Sequence, residues 1–427
     1  MIEKIKYYIK NHQKRVYIIL DIPMFIFTFA FIVMLGNVLA PEPLTLFNAA
    51  LGIFTVFSTV GIALQTVIAR RIAAANKIIG SHDFLIAACV VGLLSVLPFA
   101  LPEQYTSSLR SVKASGIFPF IVILFSHAGI SFCRGILQGT ERFYGLWSAQ
   151  ASEHVFRLII LYLFLDGSVS LNDAWMTVVG SSLIHFMYAL WLLPKEVWVQ
   201  CWNDGRTQEG LSKEIFGVIL CNFFLNYFLS VDLIVVGETL GEDGGAYVTA
   251  NKFGKLLYFV GASFAIVILP KFSRAKTHAG LKRQMFLGLV LFIPLCAFLS
   301  PIGAIVVDPL IRVSFPEEIV PTFELMSWTF FSNFALCAIQ LLITWHIAQR
   351  TRHLNWLLAV CCLTMTRLLF WQSDTGIEVI QMTSASVWLT TIILSLLAIF
   401  QPIDETNESQ KVDENDTVLE PKEELGP

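Results

Sequence analysis

Charged residues are scarce in this chain of 427 residues: only 14% are Asp, Glu, Lys or Arg, against about 25% in soluble domains. Hydrophobic residues make up 56% and phenylalanine occurs 35 times, and the mean hydropathy is +0.68. A water-soluble globule covers its surface with many more charged side chains than this. The composition therefore argues against soluble domains and predicts one polytopic bundle in a lipid bilayer.

Motifs for disulfides, metals and nucleotides are also missing. The eight cysteines are scattered without a C-x-x-C pair, and no two histidines stand at metal-ligand spacing, so we expect no disulfide framework and no zinc site. No G-x-x-x-x-G-K-[ST] segment occurs, which argues against direct coupling to ATP. We therefore expect no cofactor, no metal and no nucleic-acid partner.

Long apolar stretches follow one another from Val16 to Phe400. A helix needs roughly 20 apolar residues to cross about 30 Å of hydrocarbon, and twelve stretches meet that requirement. We place them at about 16–40, 46–68, 83–101, 115–137, 147–166, 172–194, 215–237, 246–270, 284–308, 322–346, 353–371 and 378–400. The sequence thus predicts an all-α polytopic membrane protein with 12 transmembrane helices.

Basic residues are distributed unequally between the two sides of this arrangement. One set of alternate connections, on the same side as the basic N-terminus, holds Arg70, Arg71, Lys77, Arg134, Arg142, Lys195, Arg206, Lys213, Lys271, Arg274, Lys276, Lys282, Arg283, Arg350 and Arg352. The opposite set holds only Arg110, Lys113 and Arg312. Because cytoplasmic loops carry the excess of Lys and Arg, we expect both termini in the cytosol and the protein in the cytoplasmic (inner) membrane.

The sequence divides into two halves and a tail. We predict an N-terminal six-helix lobe over 1–194, a cytosolic linker over 195–214 and a C-terminal six-helix lobe over 215–400. Residues 401–427 contain nine acids and two lysines with few apolar residues, so we expect a disordered cytosolic tail that serves for solubility or for interaction.

A weak internal repeat supports the two lobes. An offset of 200 or 201 residues aligns Gly36 with Gly237 and Ala50 with Ala250. The first and seventh predicted helices enter from the same side, so the repeat is parallel. Transporters with two such lobes bind their substrate at the interface between the repeats.

Two segments resemble a known superfamily. The stretch FCRGILQGTERFYGLWSAQASEHVFRLII at Phe132–Ile160 resembles the fourth-to-fifth helix junction of MATE-like oligosaccharide flippases, and Val231–Ala275 resembles their seventh-to-eighth helix hairpin. In that hairpin the matching features are Asp232, the Ala246-Tyr247 pair and the Pro-x-x-S ending at Ser273. The resemblance implies a MATE-like fold and lipid-linked oligosaccharide transport. Lipid II flippases of this superfamily usually have two further C-terminal helices, so the chain is more similar to polysaccharide-repeat (Wzx-like) exporters.

Polar residues at membrane depth are costly, so they are candidates for function. We predict that the substrate is bound by basic and amide side chains, namely Arg157, Asn222, Asn226, Lys252, Lys255, Gln340 and Arg367. Asp21, which lies two residues before a helix-kinking Pro23, and Asp232 are candidates for ion coupling or gating. The remaining acid at this depth is Glu153.

Each candidate also has a structural interpretation. Arg157 and Glu153 stand in the favourable i,i+4 order for a pair within one helix. Lys252 and Arg367 can extend to the membrane interface, and the two asparagines can join neighbouring helices. Asp232 can likewise serve a purely structural purpose.

The excess of basic over acidic side chains at membrane depth indicates that the transported molecule is an anion. Four basic side chains stand against three acids at membrane depth, and a cationic cavity suits a diphosphate headgroup. We predict a monomeric, alternating-access flippase of polyprenyl-diphosphate-linked oligosaccharide for surface polysaccharide biosynthesis, functionally associated with glycosyltransferases and driven by an ion gradient or the membrane potential.

Three other functions stay open from the sequence. A cation-coupled multidrug antiporter of the same superfamily would use Asp21 or Asp232 for proton or sodium exchange. A membrane-bound enzyme of polysaccharide assembly is disfavoured by the short outer connections near 102–114 and 309–321, which leave little room for an active site. A scaffold would use the acidic tail for docking.

Overall fold

The structure is a computed structural model that describes the backbone of residues 13–75, 117–164, 169–193, 211–255, 257–258, 279–348, 354–371 and 374–400. These residues form helices joined by short turns and contain no strand. The fold is therefore all-α, as the composition predicts. The predicted helix at 83–101, most of the linker and the acidic tail lie outside the described residues.

The first half of the chain contributes six described helices. They are α1 (Gln13–Val38), α2 (Pro41–Phe57), α3 (Thr59–Ala75), α4 (Ile117–Gly139), α5 (Phe143–Leu163) and α6 (Leu171–Trp191). Pro41 at the first position of α2 fits because the amide hydrogen that proline lacks has no intrahelical partner there. Ser170 and Asp173 form a capping box that starts α6.

The second half contributes six more. They are α7 (Leu211–Thr239), α8 (described over 244–255), α9 (Ala279–Ser314), α10 (Phe323–Ala348), α11 (Leu354–Trp371) and α12 (Gly376–Phe400). Short 3₁₀ turns at Gly241–Asp243 and Glu317–Ile319 follow α7 and α9. Helix α9 continues through three prolines to a length of 36 residues, longer than the predicted 284–308.

Seven of these helices are long and apolar enough to span a membrane, and the bent pair α2–α3 makes an eighth span within the described residues. This supports an integral membrane protein. Helix is present at eleven of the twelve predicted positions, and the twelfth is the undescribed 83–101.

The second predicted helix, 46–68, is broken, which the hydropathy pattern did not indicate. Helices α2 and α3 meet at Ser58 at an angle of 40°. Near the break, Ser58 Oγ donates to Thr55 O and Thr59 Oγ1 donates to Val56 O, at 2.8 and 2.5 Å. Hydroxyls that bond to preceding carbonyls bend helices, and Asn226 of α7 donates to Thr59 Oγ1 at 3.1 Å to hold the bend.

Equivalent helix pairs pack in the two halves. Helix α1 packs on α5 as α7 packs on α11, and α4 packs on α6 as α10 packs on α12. Helix α7 also packs along α2 and α3 and so joins the halves. This pairing is what two parallel repeats produce; the boundaries of the two lobes stay a prediction.

The crossing of α2 and α7 depends on small residues. A Cβ atom on Gly237 of α7 would overlap the side chain of Ala49, and one on Gly52 would lie 3.3 Å from Ser230 O. Small residues at such crossings let helix backbones approach closely, which is how helices associate within lipid.

We expect Gly237→Leu to destabilise the protein by about 3 kcal/mol, because overpacking of this size forces the helices apart. The midpoint of thermal unfolding in detergent should fall by several degrees. Gly217→Leu on the same helix is the matched control, since no atom lies within 4 Å of a Cβ there. Equal midpoints for the two variants would show that the crossing is not tightly packed.

A cationic cavity between the two halves

A cavity of about 530 Å³ lies between the two halves of the bundle. Side chains of α1–α6 line it on one side, and side chains of α7, α8 and α10 line it on the other. The volume falls within the range of about 300–1,000 Å³ that is usual for small-molecule sites. Its position matches the site that two-lobed transporters use.

Described residues of the two halves meet across the cavity at the end where α1 finishes. Asn37 Nδ2 donates to Ser314 O at 2.7 Å, and the Gly36 backbone packs on the Phe315 ring. At the opposite end the lining continues to Gln138 in the last turn of α4 and Ile347 in the last turn of α10.

Four cations line the cavity with one carboxylate among the described residues. Arg134 and Arg157 come from the first half, Lys252 and Lys255 from the second, and the carboxylate is Glu153. The lining therefore carries a net charge of about +3 when the histidines are neutral. Uncompensated charge is costly in a membrane interior, so an anionic ligand would be stabilised here.

The first-half wall contains an ion pair and histidines. Arg157 Nη2 lies 2.5 Å from Glu153 Oε1, one helical turn away on α5, and the guanidinium stacks 5.3 Å from the centre of the Phe31 ring. His154 Nδ1 contacts Thr28 Oγ1 of α1 at 3.1 Å. The i,i+4 pair inferred from the sequence is therefore present, and Arg157 also faces the cavity.

The second-half wall presents two lysines with no paired carboxylate. Lys252 and Lys255 are three residues apart on α8, so they lie on one face. Neither lysine has a hydrogen bond or ion pair with another described residue. On the same side of the cavity, Tyr258 donates a hydrogen bond to Gln340 Oε1 at 2.9 Å. The two ammonium groups therefore keep their donors for a ligand.

Amide groups lie between the charged walls. Asn222 and Asn226 stand one turn apart on α7 and both line the cavity. Asn222 Nδ2 donates to Val218 O at 2.9 Å, which leaves its carbonyl oxygen as an acceptor for hydroxyl groups. Toward the Ile347 end, Gln65 Nε2 donates to Gln138 Oε1 at 3.0 Å.

Six of the predicted binding residues therefore line one cavity, namely Arg157, Asn222, Asn226, Lys252, Lys255 and Gln340. The structure does not bring Arg367 to this site, contrary to the prediction. Arg367 is exposed on α11, on the same face as the exposed Leu363 and Phe370. Arg367 lies four residues after Leu363 and three before Phe370, so helical periodicity puts all three on one face. That face is turned away from the bundle, which is why Arg367 does not reach the cavity.

Asp232 lies outside the cavity lining, in a buried cluster between α7 and α8. Its Oδ2 accepts hydrogen bonds from Tyr247 Oη at 2.7 Å and from Asn251 Nδ2 at 2.5 Å, and its Oδ1 accepts from the Leu233 amide. These contacts join two helices of the second half. The other predicted coupling residue, Asp21, is in α1, and its side chain lies outside the described part of the structure.

Sequence reasoning missed several cavity residues. Arg134 was assigned to a cytosolic connection, whereas it lies on α4, five residues before the helix ends. His127, Arg134 and Gln138 all line the cavity, and their spacing of seven and four residues places them on one helical face. That polar stripe in an apolar helix is the signal that identifies them.

Comparisons with solved structures agree with this architecture. The eukaryotic MATE transporter AtDTX14 matches with a TM-score of 0.66 at 13% identity, covering 94% of this chain and 97% of that one. The fold is that of the MATE-like transporters. The lipid II flippase MurJ in an inward closed conformation matches with a TM-score of 0.61 at 14% identity, over 94% of this chain and 91% of MurJ.

A third protein with this MATE-like fold is a MOP superfamily transporter from Pyrococcus furiosus, with a TM-score of 0.59 at 15% identity over 93% of this chain and 96% of that one. Reverse polarity of its binding pocket is described as suggesting a different function. No protein-family model matches the sequence, and a search of curated proteins gave no match.

Proposed function

We propose that this protein is an alternating-access flippase that moves polyprenyl-diphosphate-linked oligosaccharides across the cytoplasmic membrane for surface polysaccharide biosynthesis. The observation that carries the proposal is the charge of the cavity, where four cations accompany one carboxylate among the described lining residues. Arg and Lys donors bind phosphate oxygens through short, charge-assisted hydrogen bonds. A cationic drug would meet electrostatic repulsion in the same place.

Each part of such a substrate has matching groups. Arg157, Lys252 and Lys255 hold the diphosphate, and the amides of Asn222 and Gln340 hold sugar hydroxyls. The cavity of about 530 Å³ suits a headgroup, so the long isoprenoid chain stays in the bilayer. With both termini in the cytosol, the cavity end near Gln138 and Ile347 faces the cytosol, where the lipid-linked sugar is made.

The sealed end then faces the opposite side of the membrane, and transport requires the seal between Asn37 and Ser314 to open while the other end closes. An ion gradient or the membrane potential drives this change, with Asp21 or Asp232 as the coupling group. We propose that the protein works as a monomer, in functional association with the glycosyltransferases that build its substrate.

Reconstitution tests the proposal directly. Liposomes that contain the purified protein should translocate a fluorescently labelled polyprenyl-diphosphate oligosaccharide faster than empty liposomes do, measured by protection of the label from an external quencher. The matched substrate is the same glycan on a neutral polyprenol, which lacks the anion and should move at the background rate.

A cation-coupled multidrug antiporter is the second candidate, because solved MATE structures share this fold. It predicts the opposite result in the same liposomes. Uptake of a cationic dye driven by a proton or sodium gradient, without movement of the labelled lipid, would contradict the flippase proposal.

A further inference from the structure

Glu153 is the one carboxylate among the described residues that line the cavity. One of its oxygens pairs with Arg157 at 2.5 Å, and the other lies 3.4 Å from Nδ1 of His185 on α6. The His185 side chain is completely buried, and its Nε2 has no hydrogen-bond partner within the described part of the chain. The acid thus stands between a fixed cation and an imidazole that can gain or lose a proton.

An anion that enters the cavity competes with the Glu153 carboxylate for the guanidinium of Arg157. The Arg157 guanidinium forms its short ion pair with Glu153. The Arg157 Nε is buried and has no hydrogen-bond partner among the described residues. A planar guanidinium prefers a phosphate that can accept two parallel hydrogen bonds. A phosphate bound by Arg157 would therefore compete with Glu153 for the same guanidinium donors.

We propose that the Glu153–His185 pair is a proton-binding site that takes up a proton from solution when a diphosphate binds Arg157. This inference rests on the proposed function, because it requires an anionic substrate. Loss of the guanidinium leaves the partly buried carboxylate beside the imidazole, and a charge without a partner at membrane depth is costly. One proton shared by the pair restores a neutral acid or completes a carboxylate–imidazolium pair.

The charged groups around Glu153 determine whether binding of an anion favours or disfavours uptake of a proton. Arg157 and His154 lie on its own helix, His185 on α6, His127 and Arg134 on α4, and Lys252 across the cavity on α8. From α1, the neutral Thr28 contacts His154. A bound diphosphate offsets the charge of these cations and so favours an added proton on the pair.

The coupling acts in both directions. If the bound state holds about one more proton than the empty state, affinity for the anion falls by up to about tenfold for each unit rise in pH through the titration of the pair. Release of the substrate then returns the proton to solution. The uptake belongs to both groups together, because the proposed proton is shared between them.

Calorimetry of the full-length protein in lipid nanodiscs tests the proposal, with farnesyl diphosphate as the probe at pH 8. Titrations in buffers of different ionisation enthalpy give the number of protons taken up on binding. We expect between about half a proton and one proton per bound diphosphate in the wild type, by the linkage between ligand and proton binding. A wild type that binds farnesyl diphosphate but takes up less than about a tenth of a proton on binding would overturn the inference.

The variant Glu153→Gln separates the site from the ligand's own titration. It should bind farnesyl diphosphate at least as tightly as the wild type, with the proton uptake lost. Glu324→Gln, at an exposed position of α10, is the matched control and should keep the wild-type uptake. Undiminished uptake in Glu153→Gln would refute the assignment of the site.

The result also distinguishes this inference from the proposed function. A wild-type protein that binds no farnesyl diphosphate overturns the flippase proposal and the proton site with it. A wild-type protein that binds it without proton uptake overturns the proton site alone.

Discussion

Replacement of both Lys252 and Lys255 by alanine should lower affinity for a polyprenyl diphosphate by roughly 100-fold or more, because each charge-assisted hydrogen bond contributes about 1.5–3 kcal/mol. The two ammonium groups have no hydrogen bond or ion pair with another described residue. The double replacement therefore removes contacts to the proposed substrate and no such contact between described residues. Flipping of the labelled lipid in liposomes should fall accordingly, while the amount of protein inserted stays at the wild-type level.

Arg367→Ala is the matched control for this double variant. It also removes a cation from a membrane helix, but Arg367 is exposed on the outer face of α11 and does not line the cavity. Its flipping rate should equal that of the wild type. A similar loss of activity in Arg367→Ala and in the lysine variant would indicate a general effect of membrane charge and would count against the cavity as the site.

The largest loss of stability is expected for Asp232→Ala. This change leaves Tyr247 and Asn251 buried without the carboxylate that accepts their hydrogen bonds at 2.7 and 2.5 Å. Loss of two hydrogen bonds to a charged group should cost about 3 kcal/mol or more, which thermal unfolding in detergent will register. Asp243→Ala on the exposed turn after α7 should leave the unfolding midpoint unchanged.

Asp232→Asn addresses the proposed coupling role separately. The amide keeps the shape of the side chain, and its oxygen in the place of Oδ2 can still accept from Tyr247 and Asn251, with only the bond from the Leu233 amide lost. If Asp232 couples transport to an ion gradient, this variant folds but loses the response of flipping to that gradient. A response equal to that of the wild type would restrict Asp232 to joining α7 and α8.

The positions of the helices were predictable because length and hydropathy decide whether a segment can cross the bilayer. Helices such as α6 and α12 begin within a few residues of their predicted starts. The break at Ser58 was not predictable in this way. It depends on hydroxyl groups that bond to backbone carbonyls and on Asn226, a residue 168 positions further along the chain.

The types of residue at the candidate site were predictable from the sequence. Which individual residues belong to the site was harder to predict. Helical spacing placed Asn222 with Asn226 and Lys252 near Lys255, and the structure puts both pairs on the cavity wall. The direction of a single polar residue is harder to infer, because lipid-facing and cavity-facing stripes have the same period of 3.6. Arg367 was misassigned for that reason, because it faces outward. Arg134 was counted with a cytosolic connection although it lies within the predicted helix at 115–137, and it lines the cavity.

The contact that seals one end of the cavity determines how easily the protein can change state. Among the described residues it includes an exposed amide–carbonyl hydrogen bond and the packing of Phe315 on a glycine backbone, while α2 and α7 also pack across the halves. A net hydrogen bond contributes only about 1 kcal/mol. A ligand that binds one conformation about 3 kcal/mol more tightly than the other therefore shifts their ratio by more than 100-fold. In the proposed transport cycle, the free energy of substrate binding can therefore select the side to which the cavity opens.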